Sequence, residues 1–154
     1  MKKHFCFIVI LALLIACKSN SKKAKIYLKQ GISKAYSSDF EEAIKDFDKA
    51  IYLQPDFADA YFYRGNSNYN LNGNIKKAIE DYNKAIEIKP DFANAYNNRG
   101  NMKSYLGNEK GACYDWIKAD KLGRENMRDK IKKCSYYIKG ASINSFLSRN
   151  KDNE

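Results

Sequence analysis

Residues 57–65 read F-A-D-A-Y-F-Y-R-G, and thirty-five positions later residues 92–100 read F-A-N-A-Y-N-N-R-G. A chain that copies a unit of this length buries each copy against its neighbours, because one short unit cannot enclose a core alone. A second pair lies between, E-E-A-I-K-D-F-D-K-A-I at 41–51 and K-K-A-I-E-D-Y-N-K-A-I at 76–86, and Pro55 and Pro90 close the two units at the same spacing. A third copy has decayed, with Ala112, Trp116 and Ala119 in place of Ala78, Tyr82 and Ala85, and Leu122-Gly123 in place of the proline.

Ala78, Tyr82 and Ala85 stand four and three apart, which puts them on one face of a helix. Small residues around one aromatic suit closely packed helical hairpins. Gly65 and Gly100 fall inside the following helices. A mid-helix glycine costs about 1 kcal/mol against alanine, so its repetition marks a close crossing of two backbones.

On these residues the chain resembles the tetratricopeptide repeats. Their pattern of aromatic, Leu-Gly, alanine, aromatic, alanine and proline falls on Tyr27, Gly31, Ala43, Phe47, Ala50 and Pro55, then on Tyr61, Gly65, Ala78, Tyr82, Ala85 and Pro90, then on Tyr96, Gly100, Ala112, Trp116 and Ala119. The leucine before the glycine is replaced by Gln30, Arg64 and Arg99. The resemblance covers residues 24–123 and implies an all-α, right-handed solenoid of about three helical hairpins, 24–57, 58–92 and 93–123. The second unit carries one extra residue in its turn at Leu71-Asn72-Gly73-Asn74, where an Asn-Gly turn tolerates insertion.

Helices are expected at about 25–37, 41–53, 58–71, 75–88, 93–105, 109–121 and 126–139. The seventh lies in a capping segment, 124–143. Met127, Ile131, Cys134 and Ile138 form its apolar stripe, which would cover the exposed end of the stack. A flexible tail, 144–154, is expected to follow.

Residues 1–4 are basic and 5–16 are an unbroken apolar run. Twelve helical residues rise about 18 Å, short of a hydrocarbon layer of about 30 Å, so the segment reads as a secretory signal. Its end, Leu14-Ile15-Ala16-Cys17, looks like the lipobox of bacterial lipoproteins. That resemblance implies cleavage after residue 16, acylation of Cys17 (the palmitate class of modification), and a short linker through residue 23. The alternatives are an ordinary secretory signal with an incidental cysteine and an uncleaved anchor. Lys18 after the cysteine implies the outer membrane, with an outward-facing inner-membrane lipoprotein as the alternative, and the periplasmic or surface side stays open.

Cleavage takes the net charge from +10 to +8 by removing Lys2 and Lys3. Residues 24–92 hold ten basic against eleven acidic side chains, and 93–154 hold thirteen against seven. Lys130, Lys132 and Lys133 cluster on the cap, either against an anionic bilayer or as a solvated face. An exported chain seldom meets nucleic acid, which is not expected as a partner.

The single histidine, His4, and Cys6 lie in the signal segment, and no glycine-rich phosphate loop or facing carboxylate pair stands out. No catalytic residue, metal site or cofactor is expected, and the chain reads as non-enzymatic. In the family register Cys113 stands beside Ala112, and Cys134 takes the slot of Gly31, Gly65 and Gly100. A bridge would close a 22-residue loop and add about 3 kcal/mol in the chain-entropy model. Two buried, separate thiols are the alternative.

The same register turns the first helix of each hairpin toward a groove. Leu28, Ile32, Ala35 and Tyr36 line unit one, Phe62, Tyr63, Asn66 and Asn70 unit two, and Asn94, Asn97, Asn98, Asn101 and Tyr105 unit three. Aromatic rings anchor interfaces, and asparagines both donate to and accept from an extended backbone; asparagine-rich genome composition is the alternative account. Leu28, Ile32, Tyr63 and Asn98 occupy positions where chaperone-binding carboxylate clamps use polar or basic residues, so an acidic chaperone tail is not expected. The expected function is a membrane-anchored adaptor that binds a protein or peptide at the bacterial envelope. The alternative is an envelope scaffold that self-associates through helix faces, its oligomeric state open.

Overall fold

The computed structural model describes residues 2–138, with side chains from residue 18 onward. The side chains of the expected signal segment, the Cys17 thiol and residues 139–154, which include the end of the expected cap and the tail, lie outside the described residues. Among those described there are seven helices and no strand. They fall into two compact units divided after Asn74.

In the first unit, α1 spans Lys2–Tyr36, α2 Phe40–Leu53 and α3 Ala58–Asn72. Residues 17–23, expected as a linker, continue α1. They contain no proline or glycine, Ala24 is fully buried, and Ser21 Oγ donates to Gln54 Oε1 at 3.0 Å, tying this stretch to the end of α2. Helix α2 buries Ala43, Phe47 and Ala50 on the expected face. Gly31 makes room for that face, but for a ring rather than a second backbone: a Cβ there would stand 2.6 Å from Phe47 Cε1. Ser38, with φ 62°, turns the chain from α1 to α2, and Asp39 caps α2 by accepting from the Glu42 amide.

The second unit contains α4 Ile75–Ile88, α5 Ala93–Tyr105, α6 Glu109–Lys121 and α7 Arg128–Tyr137. Ala78, Tyr82 and Ala85 are buried on α4. The equivalent face of α6 joins α7 in one cluster of Ala112, Cys113, Trp116, Ile117, Ala119, Met127, Ile131 and Cys134, with Tyr96 and Ile138 packed against it. A Cβ on Gly100 would lie 2.7 Å from the Trp116 ring and 3.1 Å from the Ala112 carbonyl oxygen, so here ring and backbone both crowd the glycine. Helix α7 starts two residues later than expected. Asn126 adopts a left-handed φ of 59°, which asparagine tolerates but a helix interior does not. Met127, Ile131 and Cys134 of the stripe are buried in the cluster with α6, and Ile138 packs partly buried against it.

Candidate functional groove

The first unit brings Ile32, Ala35 and Tyr36 of α1 together with Tyr63, Asn66 and Asn70 of α3. They line an open cavity of about 360 Å³ with Phe40 and Ser67, which the repeat register did not single out. Leu28 and Phe62 are not in its wall. Leu28 is half-buried, and Phe62 is buried at 8% exposure with its ring edge-on to Tyr63, centroids 5.2 Å apart. Tyr63 in turn stacks on Phe47 at 6.0 Å, so the packing that holds α2 to α3 also orients the cavity's central ring. Burial pushes the Tyr63 phenol above its ordinary value, with Tyr36 and the Asp59 carboxylate adding, so it stays a neutral hydrogen-bonding group. Tyr36 is 84% exposed at the mouth. Ser67 Oγ is buried and has no hydrogen-bond partner among the described residues. The wall therefore combines apolar and aromatic area with a few polar groups, the composition of sites that take side chains.

The second unit departs from an open asparagine ladder. All four amide oxygens accept hydrogen bonds from within the chain: Asn94 from Arg124 at 2.8 Å, Asn98 from Asn97 Nδ2 at 3.0 Å, and Asn97 and Asn101 from Lys130 Nζ at 2.8 Å each. Asn101 also accepts from Trp116 Nε1 at 3.1 Å. Asn97 is buried, and Tyr105 is exposed. Lys130, expected in a basic cluster with Lys132 and Lys133, instead turns inward over the Trp116 ring, 5.6 Å from its centroid. Burial, with Arg124 nearby, holds its pKa below the ordinary lysine value.

Cys113 and Cys134, left open between bridge and free thiols by the sequence, form a disulfide with S–S 2.10 Å and Cα–Cα 5.5 Å. The missing leucines before the glycines also acquire a role. Arg64 pairs with Asp48 at 2.6 Å and lies over Tyr61; Arg99 pairs with Asp115 at 2.6 Å and lies over Tyr96. Asp46, Asp81 and Asp115, each just before the buried aromatic of its unit, are themselves buried. Sequence reasoning missed this set, although the repeated Asp-Phe, Asp-Tyr and Asp-Trp pairs were its signal. Among the described residues there is no group of three or more metal-ligating side chains, and no helix long and apolar enough to cross a membrane.

Comparison with known proteins accords with this architecture. The family model described as TPR repeat matches residues 35–72 and 69–104. An uncharacterized protein of Methanocaldococcus jannaschii is 44% identical over 43 residues, which is 28% of this chain and half the length of that relative. The TPR domain of Arabidopsis OM64 superposes with a TM-score of 0.71 at 22% identity, covering 77% of this chain and 99% of that one. The TPR2B domain of yeast Sti1, in a complex with pHsp70, superposes with a TM-score of 0.68 at 25% identity, covering 77% of this chain and all of that one. The chain thus matches tetratricopeptide repeats over residues 35–104 and has the all-α tetratricopeptide-repeat fold.

Proposed function

We propose that this chain is a non-enzymatic adaptor that receives a peptide or protein segment in the α1–α3 groove, tethered by acylated Cys17 to a bacterial envelope membrane, the outer membrane first. The observation that carries the binding role is the cavity between Ile32, Tyr36, Tyr63 and Asn66. It offers a side-chain-sized apolar recess with amides at its edge, on a fold whose yeast Sti1 relative is held in a complex with pHsp70. Tyr36 supplies ring area at the mouth, Asn66 and Asn70 supply polar contacts, and the packed Tyr63–Phe47 pair keeps the recess preformed. In the second unit the asparagine oxygens of α5 are already engaged within the chain, so the recess of the first unit alone carries the binding role. The tether is supported by the order of the sequence, a basic start, an apolar run and Leu14-Ile15-Ala16-Cys17, and by a disulfide suited to an oxidising compartment.

A photocrosslinking residue at Tyr36 in the full chain, produced in its own membrane, tests the groove. A discrete adduct at position 36, lost on Ile32→Asp and absent with the probe at exposed Tyr114, supports it. Equal adducts at both positions, or adducts only to a second copy of the chain, reject it, the latter in favour of self-association. Labelling with a clickable fatty acid tests the tether, which fails if Cys17→Ala labels as the parent does.

A further inference from the structure

The first carboxylate in the chain is Asp39, so α1 carries no acidic residue along its length. Residues 18–36 contain six lysines. Lys34 is neutralised by Asp46 and Glu42 of α2. Lys18, Lys22, Lys23, Lys25 and Lys29 make no ion pair among the described residues. At 100° per residue, Lys18, Lys22, Lys25 and Lys29 fall within an arc of roughly 60°. All four are exposed, while buried Ala24 and Gly31 occupy the opposite side of the helix. Ile26, half exposed, stands beside the stripe. Helix α1 runs unbroken from the apolar segment through Cys17 into this stripe.

We infer that the Lys18, Lys22, Lys25 and Lys29 face of α1 is a docking surface for anionic phospholipid headgroups, on which the helix lies lengthwise beside its lipid anchor. This rests on the acylation of Cys17 proposed above. Charge complementarity argues for it, since an all-cationic face without internal counter-charges is compensated by an anionic surface. Continuity makes the bilayer that surface, because the stripe begins one residue after the anchor. Orientation follows from distance. Lys29 is twelve residues from Cys17, about 18 Å along a helix, whereas attraction fades over a Debye length of about 8 Å. An upright helix would bring only its first lysines to the headgroups; a recumbent one brings all four. The basic cap is a weaker candidate, because Lys130 is turned inward.

The test uses the acylated protein purified from membranes, bound to vesicles of phosphatidylcholine alone or mixed with phosphatidylglycerol. Amine labelling is then quantified lysine by lysine. Flotation with both vesicle types reads the anchor. Labelling of Lys18, Lys22, Lys25 and Lys29 should slow about fivefold or more on the anionic vesicles, in line with the attraction of one lysine to such a surface. Exposed Lys110, Lys121 and Lys132 should not change, and added salt should abolish the protection. Four results overturn the inference: equal labelling on both vesicles, protection of Lys18 alone, protection centred on Lys132 and Lys133, or stronger protection by an oligonucleotide. Protein that floats only with anionic vesicles would reject the anchor and keep the face. Protein that floats with neither would reject both.

Discussion

Arg99 on α5 holds Asp115 on α6, sixteen residues away, through two hydrogen bonds: Nε to Oδ2 at 2.9 Å and Nη2 to Oδ1 at 2.6 Å. The same guanidinium donates to Asn83 of α4 at 2.7 Å, and Lys103 reaches Asp115 at 2.8 Å. One arginine therefore links three successive helices, at the position where the family pattern has leucine. A planar guanidinium can do this because its donors point in fixed directions.

Asp115→Ala should lower the unfolding free energy by roughly 3 kcal/mol, because it leaves two cations without their buried counter-charge. Asp48→Ala, whose carboxylate pairs with Arg64 but is 54% exposed, should cost less than about 1 kcal/mol. Urea melts of both variants check the contrast; equal losses would contradict it.

Gly31→Ala and Gly100→Ala should each destabilise by about 1–3 kcal/mol, since the new methyl meets the Phe47 or Trp116 ring inside contact distance. Pairing Gly100→Ala with Trp116→Phe should cost less than the two single changes together. A double-mutant cycle measures the coupling, and strict additivity would mean that the ring does not set the glycine requirement.

Burial alone would push the Asp46 carboxyl up, but hydrogen bonds from Lys34 and Lys49 more than offset it and hold the group below its ordinary value of 3.8. A depressed folded pKa means that the unfolded chain binds more protons as the pH falls. The stabilisation is thus complete above about pH 4 and is lost as the pH falls through the lower folded value. Asp46→Asn should flatten this acid limb, as followed by circular dichroism, and an unchanged limb would assign the loss to other carboxylates.

Reduction of the Cys113–Cys134 bridge, or its replacement by two serines, should destabilise the protein by about 3 kcal/mol in the chain-entropy account. The bridge joins α6 to α7, so hydrogen exchange should quicken first in residues 128–137. Uniform quickening across the chain would show instead that α7 is not held locally.

Ser38 occupies the left-handed turn position that Gly73 and Gly107 fill in the other two units. Ser38→Gly should therefore gain about 0.5–1 kcal/mol, relief of the Cβ clash exceeding the added freedom of the unfolded chain. Thermal melts decide the sign, and a loss would show that the serine side chain compensates for the strain.

Much of the scaffold was legible in the residues. Alanine and aromatic spacing located the buried faces of α2, α4 and α6, and the glycines marked the tight contacts on α5 and α1. The stripe through Met127, Ile131 and Cys134 was legible as the buried side of α7. Three features were not. The inward turn of Lys130 could not be read from a lysine-rich helix, because a long side chain chooses between water and a buried amide only once the neighbours are placed. The disulfide depended on two helix faces meeting. The groove needed Phe40 and Ser67, which lie outside the positions that a repeat register marks as inward.

Sequence alone determined the all-α repeat character, the approximate places of most helices and the faces of α2, α4 and α6 that pack, because these follow from local periodicity and from the spacing of small and aromatic residues. Tertiary structure decided which polar groups are spent and which stay available. Lys130 reaches Asn97 across 33 residues and Arg124 reaches Asn94 across 30, contacts that no local pattern encodes. Hydrogen bonds are satisfied at specific distances and angles, so only assembled helices could close the asparagine row of α5 and leave the recess beside Tyr63 open.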